Sequence, residues 1–299
     1  MKYFLVKSIR LLALFFVIWI VMFYINDTYH FNNFNKQNTT VILGDYRGKH
    51  GIKPYILSKN TSNYCQSAEP LNLTFYKMLK VDENSQLDTL ILTISTHSLS
   101  SFNDYKFTHD PWRNEMLDRS YSLILHQPIS FPIDKNKFYE TILKKCVYIP
   151  IFTIKNIQVV MKLLTIKKNL NIEDFKKTLL RHYERNNTEL STSKIQLIYF
   201  NTIMNYCDSK NIVVVLVSSP VHSEYLAEVP ERILNSYDSL VTAQKCRIII
   251  DALRQPLNDT LFMNPDHLNA DGAQVFSSMI KKVLSNKAVK IVSRQRKLD

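Results

Sequence analysis

Glycine is scarce, with four residues in 299. None belongs to a loop that cradles phosphates or to a G-x-G-x-x-G turn, which excludes those two routes to nucleotide chemistry. Cysteine is equally sparse. Cys65, Cys146, Cys207 and Cys246 lie far apart, so a compact zinc knuckle is excluded. Outside the cytoplasm they could pair, and Cys207 and Cys246, beside predicted strands, read equally well as small core residues. Acidic residues are in deficit, 26 against 38 Lys and Arg, for a formal net charge of +12. No nucleic-acid recognition motif accompanies this charge. Internal repeats and low-complexity tracts are also missing. A hydrophobic content of 45% with 21% charged residues is ordinary for a globular chain, and this length suits one domain of about 200–250 residues plus appendages.

One long apolar run is present. Leu11 to Ile25 carries no charge, and Tyr3 to Val6 extends the apolar character across Lys7 and Arg10. A bilayer span needs about 20 such residues. Lys2, Lys7 and Arg10 precede the run, so the positive-inside rule keeps the N-terminus cytoplasmic and the main domain extracytoplasmic. A cleaved signal peptide is the rival reading. The residues after Ile25, beginning Asn26-Asp27-Thr28, offer no small-x-small cleavage site, so an uncleaved single-pass anchor is expected. The basic character of an anchored chain points to the membrane surface and to anionic envelope polymers as partners.

The expected organisation is a tip and anchor over 1–26, a linker over 27–39, a domain over 40–285 and a basic tail over 286–299. Thr40 to Leu43 reads as a buried strand, Ser62 to Ser67 as a second, and Leu87 to Ile94 as a third. Leu71 to Lys80 forms a helix with Leu71, Phe75, Met78 and Leu79 on one face. Residues 98–190 break this rhythm and read as an insertion, with helices over Phe152–Leu170 and Ile172–Glu184. The pattern resumes with a helix over Thr192–Ser209, a strand over Ile212–Val217, a helix over Pro230–Lys245, a strand over Arg247–Asp251 and a last helix over Leu268–Leu284. Alternating strands and helices predict a three-layer αβα, doubly wound parallel sheet of flavodoxin-like type, with sites at the carboxyl ends of its strands.

Polar residues gather at those ends: Asp45, Tyr46 and Arg47 after the first strand, Ser67 after the second, His97 after the third, and His222 after the fourth. Asn264, Asp266 and His267 lie just before the last helix. A hydroxyl becomes a useful nucleophile only when an imidazole takes its proton and a carboxylate fixes the imidazole tautomer. His97, His222, Asp266 and His267 come from separate loops without metal-ligand spacing, so no metal or cofactor is expected.

The pattern Gly44-Asp45-x-Arg47 followed by Gly51-Ile52-x-Pro54, then Pro220-Val221-His222-Ser223-Glu224-Tyr225, then Pro265-Asp266-His267-Leu268-Asn269-x-x-Gly272-Ala273, resembles the SGNH (GDSL-type) hydrolases and acyltransferases. Within them it is similar to the membrane-anchored envelope type grouped with alginate O-acetyltransferase-like and D-alanyl-lipoteichoic-acid transfer proteins. The resemblance covers about residues 41–283. It implies that His267 is the base, that Tyr46 stands where the nucleophilic serine belongs, and that Asn264 stands at the orienting acid with Asp266 as a neighbouring carboxylate. Asp45, Arg47, Ser67, His97 and His222 are the implied substrate or oxyanion-site candidates. Two departures at once imply a catalytically degenerate domain that binds an envelope glycan or a membrane-bound acyltransferase. The alternative is an active esterase or O-acyltransferase with an altered catalytic set.

Overall fold

The computed structural model describes residues 2–31, 38–109, 111–147, 172–244 and 247–291. The chain forms two compact units. One comprises residues 1–34 and 105–167, the other residues 35–104 and 168–299. The expected helix over Phe152–Leu170, Cys246 and the tail beyond residue 291 lie outside the described residues.

In the first unit, helix α1 (Lys2–Phe31) contains an apolar stretch over Tyr3–Asp27 that is long enough to cross a membrane and is not buried against protein.

The second unit is built on five parallel strands. After β1 (Thr40–Leu43) the chain turns into the short helices α2 (Tyr46–Gly51) and α3 (Pro54–Leu57), then enters β2 (Thr61–Asn63). Helix α4 (Leu71–Ser85) leads to β3 (Thr89–Thr93). In the first unit follow α5 (Arg113–His126) and α6 (Lys135–Lys145). The chain re-enters the second unit through α7 (Ile172–Tyr183), a small hairpin of β4 (Glu184–Arg185) and β5 (Thr188–Glu189), and α8 (Lys194–Ser209). It finishes with β6 (Val213–Ser218), α9 (Ser223–Ala227), α10 (Glu231–Ala243), β7 (Ile248–Asp251), a hairpin of β8 (Phe262–Asn264) and β9 (His267–Leu268), and α11 (Ala270–Ile291).

The sheet order is β2-β1-β3-β6-β7, all parallel. This is the flavodoxin-like doubly wound order, in which β1 and β3 send their following segments to opposite sides and open a crevice between their carboxyl ends. The register sets Ile42, Ile91 and Val215 side by side. They share one face with Val217 and Ile250, covered by Phe276 and Ile280 of α11. Strand alternation sends Leu43, Leu90, Leu92 and Leu216 to the other face. There α4 packs against α8, with Cys207 Sγ 3.8 Å from Met78 Sδ. Cys65, Cys146 and Cys207 are buried free thiols.

The second strand covers Thr61–Asn63 and ends earlier than the expected span of Ser62 to Ser67. Asn63 turns its side chain back, donating to the carbonyls of Gly48 at 2.8 Å and Ile52 at 3.0 Å while accepting from Cys65 N–H at 3.1 Å. A side chain so engaged replaces the ladder with a local turn.

The crevice depends on how closely α2 lies to the sheet. Asp45 caps it, accepting from Arg47 N–H at 3.0 Å. A Cβ on Gly48 would sit 2.5 Å from Cys65 Sγ and 2.7 Å from Thr93 Oγ1. We expect Gly48→Ala to destabilise the chain by about 1–3 kcal/mol, because overpacking outweighs the ~1 kcal/mol gained in helix propensity. Urea midpoints of the two forms in detergent check this, and an unchanged or higher midpoint would contradict the close approach.

Candidate active site

Three loops meet above the carboxyl ends of β1 and β3. The turn after β1 delivers Asp45, Tyr46 and Arg47. Phase along α2 then divides them, with Arg47 buried and Tyr46 on the half-exposed rim. The turn after β3 delivers His97, and Ser95 N–H donates to Ser98 Oγ across it at 3.1 Å. The β8–β9 hairpin delivers Asn264, Asp266 and His267.

His267 is positioned by two acceptors at once. Its Nδ1 lies 2.8 Å from Asn264 Oδ1 in good hydrogen-bond geometry. Asp266 Oδ1 lies 2.9 Å from the same nitrogen but out of line for a hydrogen bond. Asn264 therefore orients the ring, while Asp266 contributes negative charge beside it. A carboxamide fixes a tautomer but does not neutralise an imidazolium, and here the charge comes from the residue next door. Tight hairpin geometry brings both positions to one nitrogen, although sequence neighbours in an extended strand point apart.

Asp266 is almost fully buried. Its Oδ2 lies 3.5 Å from Arg47 Nη2 and 4.0 Å from His182 Nε2. Burial alone would raise its pKa, but His267, His182 and Arg47 together hold it well below the usual carboxylate range. Arg47 also lies 3.5 Å from Tyr225 Oη and rests over the Tyr225 ring, 5.7 Å from its centre. Its Nε and Nη1 have no hydrogen-bond partner among the described residues.

On the other side of Arg47, Asp45 Oδ2 approaches His97 Nε2 at 2.5 Å. Burial would raise the Asp45 pKa, yet His97 and Arg47 lower it to about 2. His97 moves the opposite way to its contact with a carboxylate. Burial and the Arg47 charge bring it down to about 4, against the pull of Asp45. It stacks on His182 with ring centres 4.7 Å apart. His182 is likewise held well below its ordinary value, by burial first and His97 second. From His182 a chain of buried groups runs through Tyr225 Oη at 2.9 Å, Tyr183 Oη at 3.0 Å and Thr96 Oγ1 at 2.7 Å.

Tyr46 meets two imidazoles through its ring. The ring centre is 4.0 Å from that of His50 and 4.4 Å from that of His267, edge-on to the latter at 82°. No hydrogen bond among the described residues joins its hydroxyl to either. Burial, then Asp266, raises the phenol above its ordinary value, so it stays protonated at neutral pH. His50 is lowered to about 4 by burial, Lys49, His267 and Lys53.

Two candidate positions stand apart from these contacts. His222 caps α9, accepting from Glu224 N–H at 3.3 Å, and lies 3.0 Å from Asp259 Oδ1. Its ring packs on Phe175 and Phe262. Ser67 is half-buried in the turn after β2, and no hydrogen bond among the described residues uses its hydroxyl. Asn103 donates to the carbonyls of His97 and Ser98 at 2.8 and 3.3 Å, shaping the turn that carries His97.

Three contributors escape a linear reading. His182 and Tyr183 close an insertion helix whose only visible signal is an amphipathic basic pattern. Tyr225 lies within the Pro-Val-His-Ser-Glu-Tyr block, where the histidine draws attention first. Among the described residues, no cluster of His, Cys, Asp and Glu suits a metal ion.

No protein-family model and no curated protein matches the sequence. Among solved structures, a proposed acylhydrolase from Bacteroides fragilis NCTC 9343 is similar at 8% identity and TM-score 0.40, over 87% of this chain and 94% of that one. A proposed platelet activating factor from Streptococcus pneumonia is similar at 12% identity and TM-score 0.37, over 94% and 98%. At these identities the likeness carries no activity to this chain.

Stability should report the buried imidazoles directly. His97 binds protons more weakly in the folded chain, at about 4, than at its ordinary 6.5. Its contribution is full above pH 6.5 and is lost as the pH falls through that window, at about 1.4 kcal/mol per pH unit for one proton. Urea midpoints in detergent should drop from about pH 7 to about pH 4.5, and His97→Gln should flatten the slope. Equal slopes in the two forms would show that His97 titrates freely.

Proposed function

We propose that this protein is a membrane-anchored, extracytoplasmic SGNH-like domain with a closed ancestral acyl-transfer site. It acts as a binding or accessory module in the modification of an envelope glycan or other anionic polymer. The observation that carries this reading is the ring of Tyr46 lodged against His50 and His267, with its hydroxyl bonded to neither. A serine at this position would hold its oxygen close to the backbone. The phenol oxygen lies several bonds further out, so donors set for the one cannot serve the other. With no hydrogen bond among the described residues from that hydroxyl to its ring, His267 is left without a nucleophile to activate.

Support for retention of the anchor comes from contacts inside the first unit. Asn26 is buried and donates to the Lys145 carbonyl at 2.7 Å, Asp27 meets His126 at 2.7 Å, and Phe23 lies edge-on to Tyr121. Cleavage after Ile25 would sever them. Orientation follows from Lys2, Lys7 and Arg10. The net charge of +12 suits an anionic polymer, and a membrane-bound acyltransferase would be the enzyme served.

A second reading, an active esterase or O-acyltransferase, draws on Asp266, which lies 2.9 Å from His267 Nδ1 and keeps a charged partner beside the base. Assays on small acetyl esters, with a fluorophosphonate probe, separate the two. The natural chain should be inert, while Tyr46→Ser should gain turnover and labelling, on the order of a hundredfold over background, that His267→Ala removes. Activity in the natural chain that His267→Ala abolishes would establish the second reading instead.

A further inference from the structure

Helices α5 and α6 lie side by side in the first unit, with their starts joined by Arg113 Nη1 and Asp134 Oδ2 at 2.8 Å. Their far ends gather at one place on α1. Tyr121 meets Phe23, His126 meets Asp27, and the Lys145 carbonyl receives Asn26. Lys145 itself is buried, 2.8 Å from Asp118 and over the Tyr121 ring. These contacts tie both helix ends to the last turns of the apolar span, Tyr3–Asp27. A helix of that length measures about 37 Å, enough for a hydrocarbon core of about 30 Å. Phe23 to Asp27 therefore marks the level where the anchor leaves the bilayer.

At that level α6 exposes a row of apolar side chains. Phe138, Thr141 and Lys145 are buried, whereas Tyr139, Leu143 and Val147 are 60%, 53% and 73% exposed. Tyr139 and Leu143, four residues apart, share one side of the helix, and Val147 follows in the turn just past its end. Leu125, in the last turn of α5, is also exposed. Lys144, with a 70% exposed side chain, borders the row. Its ammonium is paired with Glu140 at 2.7 Å, and its long apolar stem can lie along lipid.

We propose that the Tyr139–Leu143 side of α6, with Val147 in the turn after it and Leu125 of α5, is a membrane-interface surface immersed in the headgroup and upper acyl region beside the anchor. The occupant is lipid, because the same contacts that fix α6 also fix it to a helix whose own exposed apolar surface is bilayer-facing. The row is thus continuous with a lipid surface. Aromatic and aliphatic side chains flanked by lysine are the composition of helices that lie about 5–10 Å into the interface. Two lipid contacts would then hold the first unit, one transverse and one in plane. This surface rests on the anchored reading of α1.

The test uses the full chain in vesicles of phosphatidylcholine and phosphatidylglycerol containing lipids brominated at defined depths. Trp19 lies in the anchor, and Trp112 is replaced by Phe. In that background Trp19 should be quenched by bromines deep in the acyl region. With Trp19→Phe added, a Leu143→Trp reporter should be quenched by shallow bromines, losing roughly half its emission. Should Leu143→Trp fail to fold, Val147→Trp repeats the measurement. An unquenched, water-exposed reporter beside a quenched Trp19 overturns the surface and assigns the face to a protein partner. An unquenched Trp19 overturns the anchor itself.

Discussion

The site hangs on a guanidinium placed where water cannot reach it. Arg47 is 3% exposed, and the carboxylates of Asp266 and Asp45 flank it. An isolated charge at such depth costs several kcal/mol, so the two carboxylates are conditions for folding the crevice as well as features of it. Each carboxylate also engages a histidine, Asp45 with His97 and Asp266 with His267. Removing Asp266 would leave Arg47 uncompensated and His267 without its negative neighbour. The charge arrangement thereby joins the turn after β1, the turn after β3 and the β8–β9 hairpin.

The sheet was legible because its signal is redundant. Val213 to Ser218 and Thr89 to Thr93 are continuous β-branched and apolar runs, as strands buried on both faces must be. The turn at Asp45 was legible for another reason, since an apolar run stopping at Gly-Asp marks a strand tip, whereas the helix that Asp45 caps is too short to show a period. The Asn264–Asp266 pair was harder. Counting along the chain separates an acid from its neighbour, but the two-residue turn of a tight hairpin returns both to the same imidazole. His182 was not legible at all. Its role depends on where a helix in an insertion stacks its final turn, and periodicity reports the face of a helix without naming what it meets. His222 shows the converse, since a histidine at a strand tip is also a good helix cap, and its contacts are those of a cap.

Position 46 carries few of the fold's requirements. The side chain there stands on the rim, while the fold's requirements fall on its neighbours. Asp45 caps α2, Arg47 fills the buried charge site, and Gly48 permits the approach to Thr93. A ring at 46 settles against His50 and His267 without touching any of those three constraints. The same holds for Asn264, whose hydrogen bond orients His267 while Asp266 supplies charge nearby. On the acyl-transfer reading proposed above, these two positions can therefore vary at little cost to the fold. The buried Arg47 cluster has no such freedom, because exchanging any one member leaves an unpaired group in a dry interior. Selection on folding alone is enough to preserve this buried arrangement, so the arrangement is not by itself a sign of turnover.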